Sequence, residues 1–129
     1  MMPAFYAGFG CRRGCPADTL ETLLRRALAN QGLALANLHG IASISLKADE
    51  PGLQQLTERL GVPLVLYDTA QLQPYELQLS HRSAAAHAHC GCWGVAESAA
   101  LALASQRLGT ARLLLTRQVL GPATLALAC

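Results

Sequence analysis

The strongest constraint on this chain is a rhythm in its first 67 residues. Short apolar runs are each followed by a turn and then by apolar residues at helical spacing. Residues 4–9 are short, apolar and aromatic, are closed by Gly10, and predict a first strand. Leu20, Leu23, Leu24, Ala27 and Leu28 then fall on one helical face, with Arg25 and Arg26 off it and Gly32 as the stop. Asp18 is the expected N-cap, with Glu21 in the capping-box position. A second strand is predicted over residues 40–46. Pro51 opens a second helix striped by Leu53, Leu56 and Leu60 and ended by Gly61, and residues 64–67 form a third strand. Strands alternating with helices at this interval require right-handed crossovers, so the expected class is α/β, a largely parallel sheet with helices on its faces.

The second half is less regular. Pro74 breaks residues 68–82 into a short helix and a loop, and residues 83–90 allow a helical turn or two. Residues 95–108 are alanine-rich and strongly helical, stopped by Gly109, with a buried face that suits either the core or a subunit contact. Strands over 111–116 and 124–128, joined by Gly121-Pro122, predict a hairpin, which brings the sheet to about five strands and makes it mixed.

A length of 129 residues suits one domain spanning 1–129, and 52% hydrophobic composition suits a compact soluble protein. No apolar run reaches the roughly 18 residues of a membrane span. The start, MMPAFYAGFG, has no basic leader, so a cytoplasmic protein without a membrane partner is expected. Five cysteines in that setting predict reduced thiols. A net charge of +2 gives no footprint for nucleic acid, and of the ten basic residues Lys47 alone is a lysine.

The stretch GFGCRRGCPAD, residues 8–18, joins the first strand to the first helix. Ligands of open α/β sheets collect beyond the carboxyl ends of the strands, where this loop and the one from Lys47 to Pro51 would lie. Glycines there let backbone N–H groups approach a ligand, and Arg12, Arg13 and Lys47 add positive charge, so an anion is expected. A dinucleotide fingerprint does not fit, because Gly14 follows Gly10 by four residues instead of three.

Cys11 and Cys15 match neither redox nor zinc spacing and predict packed thiols, although a helix N-terminus offers Cys11 a route to nucleophilic chemistry. His87, His89, Cys90 and Cys92 carry metal-ligand atoms, but their crowding into six residues differs from the two separated pairs of a structural zinc site. No metal site and no cofactor are therefore expected. Trp93 is expected to pack, and Asp49, Glu50 and Glu97 to support helix starts, unless they transfer protons.

GFGCRRGCPADTL, SISLKADEPGLQQLTERLGVPL, GVAESAALALA and TRQVLGPATLALA, in that order, resemble the CobE/CbiG C-terminal domain family of cobalamin biosynthesis. The resemblance spans nearly the whole chain and implies a three-layer α/β/α fold around a mixed sheet, in a free-standing member of the family. It implies binding of a corrin-ring (precorrin) intermediate, with other cobalamin-pathway enzymes as further partners. Carried across by motif, the ligand-binding residues are Gly8, Gly10, Cys11, Arg12, Arg13, Gly14, Lys47, Glu50, Val95, Ala96, Glu97 and Arg117. Gly94 stands where the family usually has serine or threonine, and Arg117 where it commonly has lysine. Two rival readings remain. One is a hydrolase-like enzyme acting on a precorrin, with Lys47, Glu50 or Glu97 moving protons. The other is a metal-handling or protein-partner module using the His/Cys cluster.

Overall fold

The computed structural model describes residues 4–129; Met1–Pro3, part of the stretch read as lacking a leader, lie outside the described residues. Strands β1 (Phe5–Cys11), β2 (Leu38–Ile44) and β3 (Leu64–Tyr67) run parallel, linked by helices α1 (Ala17–Gln31) and α2 (Pro51–Leu60). Strands β4 (Leu113–Leu120) and β5 (Ala123–Ala128) form the expected hairpin around Gly121-Pro122. β5 inserts antiparallel beside β1, giving the order β3-β2-β1-β5-β4. The fold is α/β with a mixed five-stranded sheet, parallel on one side of β1 and antiparallel on the other.

The alternation of side chains along β1 sorts the core into two layers. Phe5, Ala7 and Phe9 face α1 and α2, where they meet Leu20, Leu24, Leu53 and Leu56. Each fully buried leucine or phenylalanine there contributes roughly 1.5–3 kcal/mol. Tyr6 faces the other layer, built on helix α5 (Val95–Leu108) and closed by Leu72 of the short helix α3 (Thr69–Leu72). Residues 96–104 of α5 are all buried, which assigns the alanine-rich face to the core.

Gly8 explains why those residues are small. A Cβ built there would collide with the Ala96 carbonyl oxygen and stand 2.5 Å from the Ala100 nitrogen, so the helix backbone lies directly on β1. Gly8, expected from its motif to contact a ligand, is thus buried packing beneath α5.

Other local expectations shift for physical reasons. α1 begins after Pro16 without a side-chain cap, because the Asp18 carboxylate reaches Arg59 of α2 instead, at 2.8 Å. Strand β2 ends at Ile44, so Leu46 falls in the single helical turn Ser45–Lys47 and is 61% exposed. Helix α4 (Ala84–Cys90) is capped by the Ser83 hydroxyl, which accepts from the Ala86 N–H at 3.1 Å. No helix of the described residues is long and apolar enough to cross a membrane.

Candidate functional site

The carboxyl ends of β1 and β2, the β4–β5 turn and the first turn of α5 surround a cleft of about 820 Å³. Its floor is Gly10, Cys11, Ile44 and Thr124, the last donating its hydroxyl to the Gly10 carbonyl at 3.3 Å. One wall is the Arg12-Arg13 turn with Lys47 and Glu50, and another is Arg117 and Val119 of β4. Helix α4 supplies Ala85, Ala86, His89 and Cys90, while Gly94 to Glu97 line the start of α5. Loops at strand ends thus build the site, with apolar Ile44, Leu46, Val95 and Val119 set among cations.

The cations and carboxylates of the cleft are not paired with one another. Among the described residues the three ion pairs are Arg25–Glu21, Arg59–Asp18 and Arg59–Glu21, all on α1 and α2. Arg12, Arg13, Lys47 and Arg117 hold no such partner. Glu50 is 8% exposed, and its carboxylate accepts the Gly14 N–H at 3.0 Å. It therefore secures the arginine turn and does not cap α2, where it occupies the N-cap position without a capping bond. Gly14 adopts φ 78°, the left-handed conformation that turns the chain back after Arg13. It contacts Glu50 and does not line the cleft.

Glu97 is 1% exposed and does more than support its helix. Its Oε1 accepts the Ser80 N–H at 2.9 Å and the His81 N–H at 3.4 Å. Its Oε2 accepts the Ser80 hydroxyl and, at 3.0 Å, the Arg117 N–H. One buried carboxylate thereby joins the segment before α4 and strand β4 to the start of α5. A buried acceptor whose two oxygens are both engaged stabilises structure and is poorly placed to collect a substrate proton.

Burial pushes the Cys11 thiol up to about 11, only partly opposed by Lys47, and also raises Cys15. This suits the packed thiol read from the sequence and speaks against the alternative of an activated Cys11 nucleophile, since a raised pKa favours the protonated thiol. The His/Cys cluster disperses. His87 stacks on Trp93 with centroids 4.1 Å apart and Arg82 on the same ring, Cys90 donates to the Ala86 carbonyl, and Cys92 is buried near Ser98. No group of three metal-ligating side chains converges among the described residues.

The structure thus gathers Gly10, Cys11, Arg12, Arg13, Lys47, Glu50, Val95, Ala96, Glu97 and Arg117 around one cleft, and leaves Gly8 and Gly14 outside it. Ile44, Leu46, Val119 and, on α4, Ala85 and Ala86 were not singled out from sequence, whereas His89 and Cys90 were read as metal-ligand candidates and line the cleft instead. Apolar and alanine positions look like core until the fold shows which ones a cleft exposes.

A family model described as "Cobalamin synthesis G C-terminus" matches residues 5–128. Protein CobE of Sinorhizobium sp is 38% identical over 121 residues, covering 94% of this chain and 77% of that protein. The cobalt-precorrin-5A hydrolase of Priestia megaterium is 31% identical over 94 residues; the match takes in 73% of this chain but 25% of that enzyme. Among solved structures, the crystal structure of CobE, a protein from the cobalamin (vitamin B12) biosynthetic pathway, superposes with a TM-score of 0.93 at 45% identity, covering 97% of this chain and 92% of that one. Cobalamin biosynthesis protein chiG from Agrobacterium tumefaciens str. C58 gives 0.75 at 31% identity, covering 97% of each chain.

Proposed function

The chain belongs to the cobalamin synthesis G C-terminus family, and from that premise we propose that its cleft binds a corrin-ring intermediate of cobalamin biosynthesis. One observation carries this reading. Four cations without acidic partners, Arg12, Arg13, Lys47 and Arg117, share an 820 Å³ cleft with apolar Ile44, Leu46, Val95 and Val119. A corrin precursor presents the complement, a broad apolar macrocycle carrying acetate and propionate carboxylates. A smaller anion would leave most of the apolar surface unused.

A hydrolase-like step has less support. Glu97 is engaged on both oxygens and Glu50 holds the Gly14 amide, so two of the three candidate proton carriers already have structural partners. The chain also spans only about a quarter of the matched hydrolase.

The test is a spectroscopic titration with hydrogenobyrinic acid, comparing wild type with an Arg12→Ala, Arg13→Ala, Lys47→Ala variant. Exposed and half-buried charges of this kind are worth up to about 1 kcal/mol each, so an affinity loss of roughly tenfold or more is expected. Absence of binding by wild type refutes the reading.

A further inference from the structure

The cations of the cleft are of two kinds. Arg12 and Arg13 are exposed on a turn, whereas Arg117 is set into the wall, and its Nε is sealed from solvent without a hydrogen-bond partner. A buried donor on a charged group is costly when unpaired, so its position needs an explanation. Two features hold it there. Between Leu115 and Gln118, β4 contains one residue more than the facing part of β5, since Leu115 opposes Leu127 and Gln118 opposes Leu125. Such a bulge bends the strand and re-aims a side chain. At that irregularity the Arg117 N–H donates to buried Glu97 at 3.0 Å, which fixes the strand from the α5 side.

We propose that Arg117 is the inner anchor of the cleft: it receives one carboxylate of the ligand through its two terminal N–H groups, and Glu97 is the positioning residue that holds it ready. Arginine presents these two donors in a planar fork matched to a carboxylate, and the surrounding burial makes such a bond stronger than one at the exposed rim. The two exposed arginines then attract and orient the ligand's other carboxylates in water, where salt screens them. This inference rests on the corrin reading of the cleft and adds a division of labour to it.

The experiment is a titration with hydrogenobyrinic acid at low and high salt. It compares wild type, Arg117→Gln, Arg117→Lys and the double variant Arg12→Gln, Arg13→Gln, with circular dichroism to verify folding. Arg117→Gln is expected to weaken binding by roughly 30-fold or more with the salt dependence largely kept. The double variant is expected to lose about tenfold and to flatten the salt dependence. Arg117→Lys keeps the charge but not the fork and falls between wild type and Arg117→Gln; if Arg117→Gln does not fold, this variant decides, and affinity equal to wild type overturns the anchor.

Glu97→Gln is expected to weaken binding in the wild type but not further in the Arg117→Gln background, whereas a merely structural role weakens both alike. Binding by Arg117→Gln within twofold of wild type, with the double variant impaired, overturns the inner anchor and leaves the cleft reading standing. A wild type that binds at neither salt overturns both.

Discussion

The two faces of the sheet solve the same packing problem with opposite materials. Toward α1 and α2 the contacts are Phe5, Phe9, Leu20, Leu24, Leu53 and Leu56, long side chains that hold helix and sheet apart and fill the space between. Toward α5, where the helix crosses β1, they are Gly8, Ala96, Ala99, Ala100 and Ala126, so that backbone lies almost on backbone, with the larger Tyr6, Ile44, Leu101 and Leu103 set around that crossing. The large-residue face gains stability from apolar area; the small-residue face gives up some of that area and places the start of α5 at the mouth of β1, where the cleft forms. Distance between layers, set by side-chain size, is what positions the site.

That contrast can be broken from either side. Phe9→Ala empties a site on the large-residue face and is expected to cost about 3–5 kcal/mol in urea unfolding. Glu97→Ala removes the acceptor for the Ser80 and Arg117 amides at the start of α5, and the stranded donors are expected to cost about 3 kcal/mol by the same assay. Gly8→Ala adds a single carbon to the small-residue face and is expected to cost about 1–3 kcal/mol, a large penalty for so small a change. If Gly8→Ala is neutral, the close approach of α5 is not what holds that layer.

Cys11 lies where the large-residue face meets the cleft. Burial keeps its thiol protonated to about 11 against 9.0 for an ordinary thiol, so on raising the pH the unfolded chain loses this proton first. Stability should therefore fall between about pH 9 and 11, and Cys11→Ala should remove that part of the decline in urea midpoints measured across the range. Arg59→Ala touches neither face, because its partners Asp18 and Glu21 pair with it on the solvent side, and no resolvable change in Tm is expected.

Much of this architecture was legible from periodicity. The stripe of α1, Pro51 at the start of α2, the short run 64–67 and the alanine-rich α5 each carry a local signal, and the glycine-cysteine-arginine turn announces itself by composition. What failed was tertiary competition. Asp18 reads as a cap until Arg59 arrives from 41 residues away, and Glu50 reads as a cap until the Gly14 amide takes its carboxylate. Glu97 was legible as a helix-start acid and a motif residue but not as a structural tie, because its partners are mainly backbone amides on two other segments, and an amide has no sequence signature. Gly8 belonged to a recognisable motif, yet the motif could not distinguish closeness to a ligand from closeness to a helix.

The insertion of β5 beside β1 has a consequence in time. Gly10, at the end of the first strand, is bonded to Thr124, 114 residues later. A chain emerging from the ribosome therefore carries β1 with one side of its backbone unpaired until the hairpin is made, and the cleft floor and the wall bearing Arg117 are completed only then. On the proposed reading, a ligand that needs both Arg12 and Arg117 can be held only after the sheet has closed.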